Sequence, residues 1–279
     1  MNNITNKISK STIQHDKENN RIYLMKMHKD DAYDIIDTLE EIVRENKYTK
    51  IIAKIPFSSK LLFLKQGYSV EAIVPKFYKG REDGVFVAKY FSIDRLKDKD
   101  KEIIKNVLNE SIKKNNEKNL CTLSKEFNYR KAEEEDAEAI AEFYKRIFET
   151  YPFPIYNPQY ILKTMRDNVV YFTIWNGDRL IAVSSSEMDI DNLNVEMTDF
   201  GTLSEYRRKG FAVYLLGKME EEMISRGIKT AYSIARAVSY GMNTTFSKKG
   251  YTFAGTLINN TNISGRIESM NVWYKELFK

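Results

Sequence analysis

The stretch 202-TLSEYRRKGFAVYLL-216 marks a change of pattern in the chain. Before it, NVEMTDFGTL (194–203) reads as a strand. After it, GFAVYLLGKMEEEMISRG (210–227) reads as a helix closed by Gly227. Arg207, Arg208 and Lys209 stand directly ahead of Gly210, with small Ala212 just inside the helix. The first N–H groups of a helix have no internal acceptor and carry the positive end of its dipole. A glycine lets an anion approach them, and flanking cations add attraction, so the stretch describes a pyrophosphate cradle. A basic turn capping a surface helix uses the same residues, and local physics does not separate the two. The other glycine loops fail: neither G-x-x-x-x-G-K-[ST] nor G-x-G-x-x-G occurs.

Around this stretch, helix and strand patterns alternate. EEEDAEAIAEFYKRIFETY (133–151) is helical with acidic residues in its first turn, and PFPIYNPQYI (152–161) is a proline-punctuated loop entering a short helix. VVYFTIWNGDRLIAVSSSEMDI (169–190) reads as two strands about a turn at Asn176, Gly177 and Asp178. TAYSIARA (230–237) is a strand and YGMNTTFSKKG (240–250) a helix closed by Gly250; YTFAGTL (251–257) and ESMNVWYKEL (268–277) are strands. This order predicts an α/β fold with a mixed, partly parallel central sheet flanked by helices.

The most polar interior segment, 94–128, carries Ile103, Ile104, Val107, Leu108 and Ile112 at helical spacing, which predicts one amphipathic helix and a loose connector. It divides the chain into an N-terminal unit over 1–125 and a C-terminal unit over 126–279. FLKQGY (63–68) and FSKKGY (246–251) share F-x-K-x-G-Y, which points to a degenerate, duplicated N-terminal half-domain. The N-terminal copy has only Gly67, Gly80 and Gly84 before the linker, none directly preceded by a run of arginines, so it cannot repeat the opening stretch. Three roles are open to it: covering the active site, forming a homodimer contact or completing the sheet.

The 279 residues carry 44 basic and 39 acidic side chains, a net charge of +5 spread through Lys-Asp/Glu mixtures. A nucleic-acid partner is not expected from so slight an excess. Cys121 is the only cysteine, which excludes an intrachain disulfide and a cysteine-built metal site, and a lone cysteine beside a polar linker reads as inert. His15 and His28 both fall near the N-terminus, so neither a histidine triad nor a metal site is expected in the body of the chain. The polar N-terminus lacks the apolar region of a signal peptide and no apolar run approaches membrane-spanning length, so a cytoplasmic protein without a membrane partner is expected.

RRKGFA (207–212) resembles the Q/R-x-x-G-x-G/A loop with which GNAT acetyltransferases hold the pyrophosphate of acetyl-CoA, and the order of elements over 129–277 is similar to that fold. More narrowly, YPFPIY, EMTDFGTLSEYRRKGFA, SIARAVSYGMNTTF, GTLINNTNISGRIESMNVWYKEL and, in the N-terminal unit, IIAKIPFSSKLLFLKQGY resemble the β-lysine N-acetyltransferase family. The resemblance implies acetylation of the terminal amine of a small lysine-like amino acid, L-β-lysine to Nε-acetyl-β-lysine, in a compatible-solute pathway downstream of a lysine aminomutase. It implies acetyl-CoA as acyl donor and no metal.

An alkyl ammonium has a pKa near 10.4 and attacks a thioester only after losing its proton. Glu196, on the strand ahead of the loop, is the first candidate for that base, at a spacing that resembles GNAT enzymes with a strand glutamate. Asp199 is the second, although in a regular strand it faces the other way unless a bulge intervenes. The resemblance gives Phe200, Gly201 and Thr202 to the pantetheine arm, and Arg207, Arg208, Lys209, Gly210, Phe211, Ala212 and Val213 to the pyrophosphate. It expects the strand to splay from TAYSIARA to admit the cofactor, and Asn243 to touch its arm. Phe246 holds the cofactor-side position where many GNAT enzymes have the tyrosine that protonates the departing thiolate; Tyr240 and Tyr251 are nearby alternatives. For the amino-acid substrate, Glu187 and Asp189 are expected to meet an ammonium and Arg236 the carboxylate, with Tyr151, Tyr156, Asn259 and Asn260 lining the pocket under a YPFPIY lid. A protein or peptide amine acetyltransferase and a non-catalytic acyl-CoA-binding module stay open as alternatives.

Overall fold

The computed structural model describes residues 4–115 and 122–277, so Cys121 lies outside the described residues. The N-terminal half runs β1 (Ile4–Ile8), β2 (Ser11–Asp16), β3 (Arg21–Lys26), α1 (Ile35–Asn46), β4 (Lys50–Pro56), α2 (Lys60–Lys65), β5 (Ser69–Tyr78) and β6 (Glu82–Tyr90). The polar segment forms two helices, α3 (Ile93–Leu96) and α4 (Lys101–Ile112), instead of one. In α4, Ile104 and Val107 are buried while Ile103 and Ile112 are exposed, so only part of the expected apolar stripe packs. The C-terminal half runs β7 (Asn128–Lys131), α5 (Ala137–Ile147), α6 (Pro158–Asp167), β8 (Val169–Asn176), β9 (Arg179–Asp189), β10 (Asn194–Thr202), α7 (Phe211–Ser225), β11 (Thr230–Arg236), α8 (Tyr240–Lys248), β12 (Thr252–Ile263) and β13 (Arg266–Glu276).

All these strands join one sheet in the order β1-β2-β3-β4-β6-β5-β12-β13-β11-β10-β9-β8-β7. The run β8-β9-β10-β11-β13-β12 repeats the order and senses of β1-β2-β3-β4-β6-β5: every pair is antiparallel except β10–β11 and β3–β4. The F-x-K-x-G-Y echo is the helix stop of each repeat. Tyr68 N–H donates to Phe63 O at 3.2 Å and Tyr251 N–H to Phe246 O at 3.1 Å, with Gly67 and Gly250 left-handed at φ 81° and 76°. Phenylalanine and tyrosine then stack edge to face, 5.1 Å apart in one copy and 5.2 Å in the other. This is a Schellman cap with its apolar clasp, which requires these residue types at these places.

The halves meet where their equivalent edge strands, β5 and β12, pair antiparallel at Gly255 and Ala72. A Cβ on Gly255 would fall 2.0 Å from the Glu71 carbonyl oxygen, so only glycine admits this approach. β12 and β13 extend further toward their turn than their apolar segments suggest. The turn closes with Ser264 and Gly265 both at positive φ, as a tight hairpin needs. Polar residues of β12 find partners in the N-terminal half: Asn262 N–H donates to Asn19 Oδ1 at 2.7 Å, and Arg21 Nη1 to Asn260 O at 2.6 Å.

Each half buries one sheet face against its own helices: Ile22, Leu24, Ile51 and Ala53 against α1, and Val195, Met197 and Ala231 within the C-terminal core. The other faces look at each other. In a flat sheet β4 and β11, five strand spacings apart, would be separated by about 24 Å. Yet Lys54 Nζ reaches Tyr232 Oη at 2.8 Å, and the Phe77 and Tyr232 rings lie 4.9 Å apart. The sheet therefore coils on itself, and a third core containing Tyr23, Ile52, Phe77, Tyr232 and Met270 fills the interior. The N-terminal unit thus extends the sheet and covers the inner face of the C-terminal half. Among the described residues no helix is long and apolar enough to cross a membrane.

Candidate active site

β10 and β11 pair only at Asn194–Thr230, Val195–Ala231 and Glu196–Tyr232. Beyond Glu196 they part, although β10 stays bonded to β9 as far as Thr202. The expected splay is therefore present, with Glu196 at its vertex. Two cavities open from it and share Phe148, Phe200, Arg236 and Met242 in their walls.

The outer cavity is a groove between β10 and the start of α8. Phe200, Gly201 and Thr202 form one wall, and Arg207, Arg208, Gly210, Phe211, Ala212 and Val213 form its end. Arg208 and Gly210 are left-handed, at φ 66° and 81°, and this double reversal aims the first turn of α7 into the groove. Lys209 is not in the wall: its ammonium lies 5.4 Å over the Phe127 ring. Tyr240 stands at the groove's rim, half exposed.

The inner cavity, about 180 Å³, lies between the halves. Glu196 and Glu187 are direct cross-strand partners and project from the same face, with Tyr232 opposite Glu196 on its other side. Burial pushes the Glu196 carboxyl up to about 7; the Lys54 ammonium opposes that shift and Glu187 adds to it. Burial also raises Glu187, again against Lys54. Lys54 itself is lowered by burial, with the Glu196 and Glu187 carboxylates holding it up.

Asp199 reaches this cavity because β10 bulges. Thr198 pairs with Ser185 but Gly201 pairs with Val183, one extra residue on β10, and Asp199 takes φ 56°. Its carboxylate accepts from the Tyr151 hydroxyl and from Ser185 Oγ at 2.5 Å. Burial raises it while these bonds oppose the shift. Asp199 is thereby engaged in fixing the Tyr151 loop, unlike Glu196.

Several expected site residues are elsewhere. Arg236 lines both cavities, but its guanidinium is held by Glu268 at 2.8 and 2.7 Å, so it is not free for a carboxylate. Asp189, outside the cavity wall, pairs with Lys26 at 3.1 Å and accepts from Asn192 Nδ2 at 2.7 Å. Tyr156 turns away to donate to Phe148 O at 2.8 Å, and the Asn259 amide donates to Arg95 O and Lys97 O. Asn243 is fully buried: it donates to Arg236 O and Ser239 O and accepts from Asn271 and Trp273, so it ties α8 to β13 without facing either cavity. Tyr251 is buried in the Schellman clasp, outside both walls. Phe246 lines the inner cavity instead of the outer one. Glu187, Tyr151 and Asn260 are in the inner wall as expected.

The sequence reading missed the residues given by the N-terminal half. Arg21, Tyr23 and Met25, alternate residues of β3, line the inner cavity, and Lys54 of β4 stands beside it. The available signal was the period of two that sets Arg21 and Tyr23 of β3 opposite apolar Ile22 and Leu24.

A parallel pair splayed at a half-buried glutamate, with a cationic loop turning into a helix beside the gap, defines an acetyltransferase of the GNAT class, and the acetyltransferase (GNAT) family model matches residues 137–243. Similarity extends through both halves. The chain is 43% identical to the beta-lysine N(6)-acetyltransferase of Methanococcus maripaludis, over 96% of this chain and 97% of that protein. It is 33% identical to the beta-lysine N(6)-acetyltransferase of Methanosarcina mazei, over 88% and 97%, and 33% identical to the N-acetyltransferase YodP of Bacillus subtilis, over 96% of each chain. The chain belongs to the beta-lysine N(6)-acetyltransferase family.

Proposed function

We propose that this chain transfers the acetyl group of acetyl-CoA to the terminal amine of L-β-lysine, giving Nε-acetyl-β-lysine. The substrate reading is supported by relatives of that name matched along nearly their whole length. The chemistry is carried by one observation: Glu196, its carboxyl pushed up to about 7, stands where the groove and the inner cavity meet.

The groove suits the acyl donor. The edge of β10 that β11 leaves uncovered is a template for an amide-bearing arm, and the N–H groups of Phe211, Ala212 and Val213 open the helix beside Arg207 and Arg208. When bound, acetyl-CoA supplies the acetyl group as a reactive thioester. Glu196 takes the proton from the substrate ammonium, which a carboxylate near pKa 7 does far better than one near 4. Glu187 and Glu196 attract that ammonium, and Lys54 keeps part of the pair ionised. Asp199 holds the Tyr151 loop over the amine. Tyr240, at the groove's rim, is the proposed proton source for the departing thiolate, since the buried Phe246 has none to give. The interior position of the cavity, roofed by β3 and the loop at 151–155, supports a small amine over a polypeptide. We place the boundary between the units at 125/126, and read the enzyme as cytoplasmic and its product as a compatible solute.

Thiol release with acetyl-CoA and β-lysine, read beside calorimetry with CoA, tests this. Turnover abolished in Glu196→Gln with CoA affinity kept is expected. No release with β-lysine while another amine reacts overturns the substrate, and CoA affinity without any turnover leaves a binding module.

A further inference from the structure

Buried charge is stable only when it is paired, because burial strips its hydration. Arg21 is 3% exposed and lines the inner cavity. Its Nη1 donates to Asn260 O at 2.6 Å and Thr261 Oγ1 at 3.1 Å, but its Nε has no partner, and it forms no ion pair among the described residues. The acids that influence it are engaged elsewhere: Asp16 accepts from Asn19 and Gln14, and Glu71 from Lys50 and Tyr90. Burial lowers the guanidinium to about 10, so it is still a cation at neutral pH. Beside it, Asn260, 3% exposed and also in the cavity wall, has an unpartnered Oδ1.

We propose that Arg21, from the N-terminal half, is the receptor for the substrate's carboxylate, and that Asn260 Oδ1 accepts from the ammonium near that carboxylate. A free cationic donor and a free acceptor on residues bonded to each other fit a ligand carrying both groups a few bonds apart, the head of an amino acid. Arg21, from the N-terminal half, and Glu196, from the C-terminal half, line the same inner cavity. The N-terminal half then reads the amino-acid end and the C-terminal half acetylates the other. This assignment rests on the proposed function and names the group that selects its substrate.

The test compares β-lysine with 1,4-diaminopentane, the same diamine without its carboxylate. The wild type should prefer β-lysine in kcat/KM by about 100-fold, the scale of a charge-assisted bond formed in a buried site. Arg21→Gln should remove most of that preference by lowering kcat/KM for β-lysine and leaving that for the diamine within a few-fold; Arg21→Lys should fall between. An equal loss on both substrates would make Arg21 only a strut for β12, and a preference unchanged in Arg21→Gln would put the receptor elsewhere; either overturns the proposal. If Arg21→Gln does not fold, the wild type still decides: equal use of both amines means there is no carboxylate receptor. If the wild type does not use β-lysine, the proposed function falls, and the same comparison with lysine and 1,5-diaminopentane judges Arg21 separately.

Discussion

The two halves share strand order, helix placement and helix stops, yet the groove beside the parallel pair described above opens in the C-terminal half. The contrast is sharpest between the parallel strands. In the C-terminal half the link from β10 to α7 carries Arg207, Arg208 and Lys209, and β10 and β11 part after three pairs. In the N-terminal half the link from β3 to α1 carries Lys29, Asp30, Asp31 and Asp34, and β3 and β4 hold one pair more, through Leu24 and Ala53. Asp31 is occupied in the fold, accepting from Lys10 N–H at 3.0 Å and Ser11 Oγ at 2.6 Å. Acidic side chains there complement the positive end of α1 themselves and would repel a diphosphate. One repeat sets cations ahead of its helix and the other sets acids there. The N-terminal repeat offers its inner face to the cavity.

The largest effect is expected at the vertex of the splay. Glu196→Gln should lower kcat by about 10²–10⁴-fold, the usual worth of a positioned base, with little change in CoA affinity. The same variant should gain stability. A carboxyl that titrates near 7 when folded and near 4.3 when unfolded binds its proton more tightly in the native state. Native stability therefore declines as pH rises through that window, and the loss is complete above about 7. Removing the charge should restore up to about 4 kcal/mol there, read by denaturant unfolding at pH 8 against pH 4.

Next in size is an exchange of charge between the repeats. Giving the C-terminal loop the N-terminal pattern, as Arg207→Asp with Arg208→Asp, should raise KM for acetyl-CoA by about 100-fold while kcat at saturation changes little. A smaller effect should come from the face the N-terminal half lends. The wild-type kcat/KM should rise with pH along a limb near 7. Lys54→Met removes the cation that favours ionised Glu196, so that limb should move to higher pH. An unmoved limb would mean that Lys54 only packs on Tyr232. The smallest is Asp31→Asn, which should lower the unfolding midpoint slightly and leave KM for acetyl-CoA unchanged.

Much of this was legible because it is local. The hairpin of β8 and β9, the helix stops at Gly227 and Gly250, the loop at 207–210 and the duplication all follow from neighbouring residues whose chemistry admits few conformations. What was not legible depends on residues far apart in sequence. Arg236 has the chemistry of a carboxylate receptor, but Glu268, 32 positions on, takes it through the β11–β13 register. Arg21 reads as an ordinary strand residue until the sheet coils and sets it against β12 with its Nε unpartnered. The bulge that turns Asp199 inward inserts one residue, which no period of two announces.

The junction at Gly255 and Ala72 has a consequence for concentration. Arg21 and Glu196 are brought to one chamber by a seam inside a single polypeptide, so the encounter between them is a first-order event. Dilution cannot separate these two walls, because both belong to one chain.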